Sequence, residues 1–142
     1  MQVELTYEDI SVGDKASFSK TVSEMDIYHF AGITGDFNPM HVDAEFAKKT
    51  FFKERIAHGI LTAGFISTVL GMKLPGPNTV YVSQSLKFTA PVKIGDTVCA
   101  EVEVLEKFDE KKIIRLRTQV KNQHGQLVVD GEATVMKKVL TV

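Results

Sequence analysis

At 142 residues and 15.7 kDa the chain has room for one domain, residues 1–142, with a core that needs no covalent staple. Its 44% hydrophobic and 25% charged residues are those of an ordinary globular protein, and a net charge of −1 with a pI near 6.4 argues against a nucleic-acid-binding surface. The single cysteine, Cys99, excludes an internal disulfide and a cysteine-rich metal centre.

Residues 1–6 lack the basic start and apolar run of a signal peptide, and no apolar stretch approaches the ~20 residues that span a bilayer. A cytoplasmic protein is expected. After Gly13-Asp14 the spacing predicts a strand over 15–22. Ser23-Glu24-Met25-Asp26 reads as a capping box, and Ile27, Phe30 and Ala31 carry the helix that follows toward residues 32–34.

The heptad Gly35-Asp36-Phe37-Asn38-Pro39-Met40-His41 comes next, and it is not expected to form a regular helix. Pro39 lacks an amide proton and pushes Asn38 toward an extended conformation, while Gly35 permits a tight bend just before the acid. Such a turn can aim Asp36 and His41 at one point, the arrangement that proton transfer to or from a water requires. Taken singly, Asp36 could simply close a turn and His41 could be a satisfied core histidine.

Asp43 is a good N-cap for a short helix over 44–49. His58-Gly59 then opens the strongest helical candidate, 60–72, where Ile60, Leu61, Ala63, Phe65, Ile66, Val69 and Leu70 leave almost no polar face. A helix apolar all round is expected to be buried on all sides. Gly71 and Pro75-Gly76-Pro77 end it.

From Thr79 the period becomes two, with Val80, Val82, Leu86 and Phe88 set against Tyr81, Ser83, Ser85 and Lys87. Further strands are expected over 97–107, over a stretch placing Ile114, Leu116, Thr118 and Val120 inward, and over 126–138, with turns at 109–112 and 122–125. Cys99 falls on the more polar face of its strand and reads as a structural thiol. Ile10-Ser11-Val12-Gly13-Asp14 echoes Val92-Lys93-Ile94-Gly95-Asp96, which reads as shared turn chemistry rather than an internal repeat. One long buried helix and a meander of strands make an α+β protein. A strand of ~11 residues spans about 36 Å and can curl past a helix of ~13 residues, about 20 Å long.

Phe30, Ile33, Thr34, Gly35, Asp36, Asn38, Pro39, Met40, His41 and Ala47 together match a known pattern. It consists of an aromatic, a short spacer, Gly-Asp-x-Asn-Pro-aliphatic-His and a small residue six positions later. On these residues, and on Ala57-His58-Gly59, residues 81–88 and residues 91–96, the chain resembles the MaoC-like hydratases, in particular the (R)-specific enoyl-CoA hydratases of the hot-dog fold. Met40 is the departure, standing where that family usually has Leu, Ile or Val, and it leaves the polar residues intact.

The resemblance implies a single hot-dog domain, its central helix wrapped by a curved antiparallel sheet, and a symmetric homodimer. It implies a hydro-lyase of fatty acid metabolism that adds water reversibly to trans-2-enoyl-CoA, or to an enoyl-acyl-carrier-protein, giving the (R)-3-hydroxyacyl thioester by syn addition. No cofactor, metal, nucleic acid or membrane is implied. Asp36 and His41 would hold the catalytic water, with Asp36 the preferred base. Gly59 opens a helix whose first amides lack intrahelical partners, so its N–H is assigned to the thioester oxygen on physical grounds as well. Ser67 falls where the family has a serine reaching the site, with a back-bond one turn earlier as the competing role. Asn38 is expected to hold the turn and His58 to position the Gly59 loop, both counted with the substrate-binding residues. Lys48, Lys49, Lys53 and Arg55 form the densest basic stretch and are candidates for the coenzyme A phosphates, although a solvated helix face explains the same run and is the favoured reading. A hot-dog thioesterase and a non-catalytic acyl-thioester-binding module are the alternatives, and loss of Asp36 or His41 would be expected in the latter.

Overall fold

The computed structural model describes residues 4–139. In chain order its elements are β1 (Lys15–Thr21), α1 (Glu24–Thr34), α2 (Pro39–Val42), α3 (Ala44–Ala47), α4 (Gly59–Met72), β2 (Thr79–Gln84), β3 (Lys87–Phe88), β4 (Thr97–Phe108), β5 (Ile113–Lys121) and β6 (Leu127–Lys137).

Two turns of one chemistry lead into β1 and β4. The Ser11 amide donates to Asp14 Oδ2 at 2.8 Å and the Lys93 amide to Asp96 Oδ2 at 2.9 Å. Gly13 and Gly95 both take φ 94°, which a side chain would strain. The echoed sequence is therefore a repeated turn. The capping box also forms: Asp26 N–H donates to Ser23 Oγ at 3.1 Å and Ser23 N–H to Asp26 Oδ2 at 2.9 Å.

All strand pairings are antiparallel, in the order β1-β4-β5-β6-β2, with the short β3 also on β6. Alternation along β4 and β5 points Val98, Ala100, Val102, Val104, Ile114, Leu116 and Val120 inward. These meet Ile66, Val69 and Leu70 of α4, which packs across β1, β4, β5 and β6. Each large aliphatic side chain buried in this way contributes about 1.5–3 kcal/mol. Thr118 is the polar member of the inward row, and Gln84 Nε2 satisfies its hydroxyl at 2.8 Å. Between Gln84 and β3 the chain passes so close to β6 that a Cβ on Gly131 would stand 1.8 Å from the Ser85 carbonyl oxygen.

Three expectations change. The last three residues of the heptad are helical, in a helix that runs on to Val42, because proline is tolerated in the first turn, where its missing N–H would have no partner anyway. Asn38 is extended as expected, with φ −50° and ψ 124°. Helix α4 is not buried on all sides: Ile60, 55% exposed, stands on an open stripe with Gly64, Ser67 and Gly71. Strand β2 does not alternate inward and outward either, since Val80, Tyr81 and Val82 are all exposed at the sheet edge. Apolarity alone does not separate a core face from an open apolar face. Among the described residues no helix is long and apolar enough to cross a membrane.

Candidate active site

Side-chain-to-backbone bonds lay out the turn after α1. Gly35 ends that helix at φ 82°, its N–H donating to the Ala31 carbonyl at 2.8 Å. The Asp36 amide then donates to Thr34 Oγ1 at 3.2 Å, the Asn38 amide to Asp36 Oδ1 at 3.1 Å, and the Met40 amide to Asn38 Oδ1 at 3.2 Å. Asp36 thus closes its turn with one oxygen while its side chain stays exposed. Asn38 supports the turn, as expected.

His41 is buried in α2, and its Nδ1 lies 2.7 Å from the Ile56 carbonyl oxygen. A carbonyl only accepts, so Nδ1 carries the proton and Nε2 keeps its lone pair. Burial is the largest influence on His41 and pushes its pKa down. The Ile56 bond opposes this, His58 lowers it further and Asp36 raises it. The imidazole is therefore neutral at pH 7, an acceptor at Nε2.

His58, at the N-cap of α4, places Nε2 2.9 Å from the Asp36 carbonyl oxygen and stacks on His41 with ring centroids 3.9 Å apart at 28°. One polar side-chain atom from each of Asp36, His41 and His58 lies within 4.8 Å of the others. In distance alone the three could hold a divalent ion. One nitrogen of each ring is already taken, His41 Nδ1 by the Ile56 carbonyl and His58 Nε2 by the Asp36 carbonyl.

A cavity of about 570 Å³ adjoins His41, lined also by Met40, Phe51, Ile56, Gly59, Thr62 and Phe88. Its walls are mostly apolar, suited to an acyl chain with a few polar groups at one end. Gly59 occupies the first position of α4, and its N–H has no acceptor among the described residues. The missing side chain does more than admit an oxygen: a Cβ there would stand 2.7 Å from the Phe88 ring.

Residues 9–126 match the MaoC like domain family. The chain belongs to the MaoC-like family. It is 57% identical to the (R)-specific enoyl-CoA hydratase of Rhodospirillum rubrum over 92% of this chain and 90% of that one. It is 49% identical to the 3-hydroxybutyryl-CoA dehydratase of Methylorubrum extorquens over 92% of this chain and 83% of the relative. Among solved structures, the unliganded R-hydratase PhaJ1 of Pseudomonas aeruginosa superposes with a TM-score of 0.90 at 44% identity, covering 98% of this chain and 94% of that one. The fold is the hot-dog fold, as the resemblance implied.

The MaoC-like chain brings Asp36, His41, His58 and Gly59 together but leaves Ser67 apart. Ser67 lies on the open face of α4, in a separate groove with Ile60, Gly64, Tyr81, Val82 and Gln84. Within this chain its hydroxyl bonds neither Asp36 nor His41, and it makes no back-bond one turn earlier. The basic stretch divides. Lys48 pairs with Glu45 at 2.7 Å, and Arg55 pairs with Glu24 at 2.5 Å while donating to Tyr28 Oη. Lys49 and Lys53 make no ion pair among the described residues. Two features had no counterpart in the sequence reading, the Ile56 carbonyl that fixes the His41 tautomer and the Phe88 ring over Gly59. A main-chain oxygen carries no sequence signal, and Phe88 shows only as one more residue of an alternating strand.

Proposed function

We propose that this MaoC-like chain adds water reversibly to a trans-2-enoyl-CoA, giving the (R)-3-hydroxyacyl-CoA. The reading rests on one observation: a neutral His41 with its Nε2 lone pair free, beside the Asp36 carboxylate and bordering the apolar cavity that Gly59 also lines. Water is a weak nucleophile, and the β-carbon of an enoyl thioester is electrophilic only when its carbonyl is polarised.

Asp36 takes a proton from a water that His41 Nε2 orients, and the hydroxyl adds to the β-carbon. The electron pair of the double bond moves toward the thioester oxygen, where the Gly59 N–H and the positive end of α4 stabilise the developing charge. One oriented donor of this kind is worth about 3–4 kcal/mol. The proton taken from water returns to the α-carbon through the Asp36–His41 pair, from the same face, which makes the addition syn. Dehydration runs the same steps backward.

The open stripe of α4 and the free edge of β2 form one apolar groove that Ser67 shares. We assign this face to a second copy of the chain in a symmetric homodimer, which would cover Ile60 and Val82 and pair the exposed edge. In sequence Lys49 and Lys53 flank Phe51, a residue of the cavity wall, and they are the members of the basic stretch without an ion pair, available to the phosphates of coenzyme A. The test is direct. Purified protein should remove the absorbance of the conjugated thioester in crotonyl-CoA without releasing free thiol. Thiol release in place of hydration would make it a thioesterase, and tight binding without turnover a carrier module.

A further inference from the structure

We propose that His58 is a positioning residue: its Nε2–H holds the Asp36 main chain, its ring face supports His41, and the Thr62 hydroxyl steadies the ring by donating to its remaining nitrogen, Nδ1. The inference rests on the hydration reading above for its catalytic consequence, though not for its geometry.

The N-cap of α4 is where Ser, Thr, Asp or Asn would satisfy the first amides of the helix, yet His58 makes no side-chain cap bond. Its ring reaches the turn after α1 instead. Nε2 reaches the Asp36 carbonyl at 2.9 Å, one face stacks on His41 at 3.9 Å, and the Phe30 ring lies 4.7 Å away at 53°. His58 is 2% exposed, so the ring is held on every side. Because the Asp36 carbonyl can only accept, Nε2 carries the proton and Nδ1 carries a lone pair.

That Nδ1 is buried with no hydrogen-bond partner. The other buried side-chain atom without one, among the described residues, is Thr62 Oγ1, and Thr62 is 1% exposed. The two are chemically complementary, one an acceptor and the other a rotatable donor. They stand four residues apart at the start of α4, the spacing that puts side chains on one face. Helical Cβ bonds tilt toward the N-terminus, so Thr62 covers the turn that begins at His58. Buried polar atoms are seldom left unpaired, and a turn of the Thr62 side chain that carries Oγ1 to hydrogen-bonding distance of Nδ1 would satisfy both. The Asp36 carbonyl, which only accepts, excludes the other tautomer, in which Nε2 would confront its lone pairs, and the hydroxyl can then serve Nδ1 as a donor.

The consequence for the site is specific. Asp36 and His58 are the titratable groups that act on His41. His58 pushes the His41 pKa down, which favours the neutral His41 that can accept a proton at Nε2.

The test uses the wild-type protein with Thr62→Val, Thr62→Ser and His58→Phe. Nitrogen-15 NMR of the imidazoles should show wild-type His58 as the Nε2–H tautomer with a hydrogen-bonded Nδ1. Thr62→Val should release that Nδ1 to its unbonded shift and lower kcat about ten-fold at nearly constant KM, and Thr62→Ser should restore both. His58→Phe keeps a flat ring but loses the bond. It should lower kcat about 10²-fold and move the acidic limb of the kcat/KM profile to higher pH. A wild-type His58 found as the Nδ1–H tautomer, or variants with wild-type kcat and pH profile, would overturn the proposal. Failure of the wild type to hydrate crotonyl-CoA would sink the hydratase reading instead, and the imidazole shifts would still decide the clamp.

Discussion

Asp36→Asn separates the two tasks that the turn gives to one carboxylate. Asp36 Oδ1 accepts the Asn38 amide at 3.1 Å, and an asparagine keeps an amide oxygen able to take the same bond. The turn should therefore persist, and because Asp36 is exposed, loss of its charge should leave the thermal midpoint within a degree or two. What goes is the proposed base. A lost general base costs about 10²–10⁴ in kcat, or about 2.7–5.5 kcal/mol of barrier. Asp36→Ala should lose as much activity and, in addition, the turn bond, about 0.5–1.5 kcal/mol of stability. That is a drop of a few degrees in a chain of this size. Crotonyl-CoA hydration followed by absorbance, with thermal melts of both variants, reads the two effects separately. An asparagine variant retaining more than a tenth of wild-type kcat would refute Asp36 as the base. An asparagine variant that melts as low as the alanine variant would tie its lost activity to the turn rather than to proton transfer.

Burial holds the His41 imidazole below its ordinary pKa, so the folded state resists its protonation. Stability present above the ordinary imidazole value should fall as pH drops from there toward the lowered value and then level off. Denaturant titrations from about pH 8 to about pH 5 should show this slope in wild type and its loss in His41→Asn, and equal slopes would refute it. Gly131→Ala puts a Cβ 1.8 Å from the Ser85 carbonyl oxygen, so the chain before β3 must move off β6. Its midpoint should drop by at least the equivalent of about 1–3 kcal/mol, and a neutral effect would contradict the close approach. Gly59→Ala meets the Phe88 ring at 2.7 Å and should lower kcat/KM, with Phe88→Ala in the same chain recovering part of it. No recovery would show that Phe88 is not the obstacle. Gly64→Arg, on the open stripe of α4, should yield monomers by sedimentation where wild type sediments as a dimer, and an unchanged dimer would move the interface elsewhere.

Local signals were the legible part of the sequence. Ser23 and Asp26 cap α1, Gly35 bends the chain, and the alternation of β4 and β5 selects the core residues, because each effect acts over a few residues of known geometry. Asp36 and His41 were legible as a pair for the same reason. Long-range relations were not. Residues 60–72 read as uniformly apolar, and nothing in that pattern separates the face that meets β4 from the face carrying Gly64 and Ser67. The alternation of β2 gave no hint that this strand would end at a sheet edge. The basic stretch could not reveal that Glu24, on α1, would neutralise Arg55.

The dyad lies on a turn and a single helical turn, segments that ordinarily hold side chains loosely. Two long-range bonds compensate, and they cross. The Ile56 carbonyl, from the loop before α4, holds His41 at 2.7 Å, while His58, at the start of α4, holds the Asp36 carbonyl at 2.9 Å. Each residue of the pair is thus tied to the segment that also carries the Gly59 amide. Asp36, His41 and the Gly59 N–H, the proposed base, water-orienting imidazole and oxyanion donor, are thereby fixed relative to one another through the start of α4 and the loop before it. Rigid mounting of this kind lets a hydratase keep one face of its substrate toward the water, on which the (R) outcome depends. It also explains why a buried histidine occupies a helix cap that a serine would fill better. The position gives up one cap bond, of about 1 kcal/mol, and gains the registration of the site.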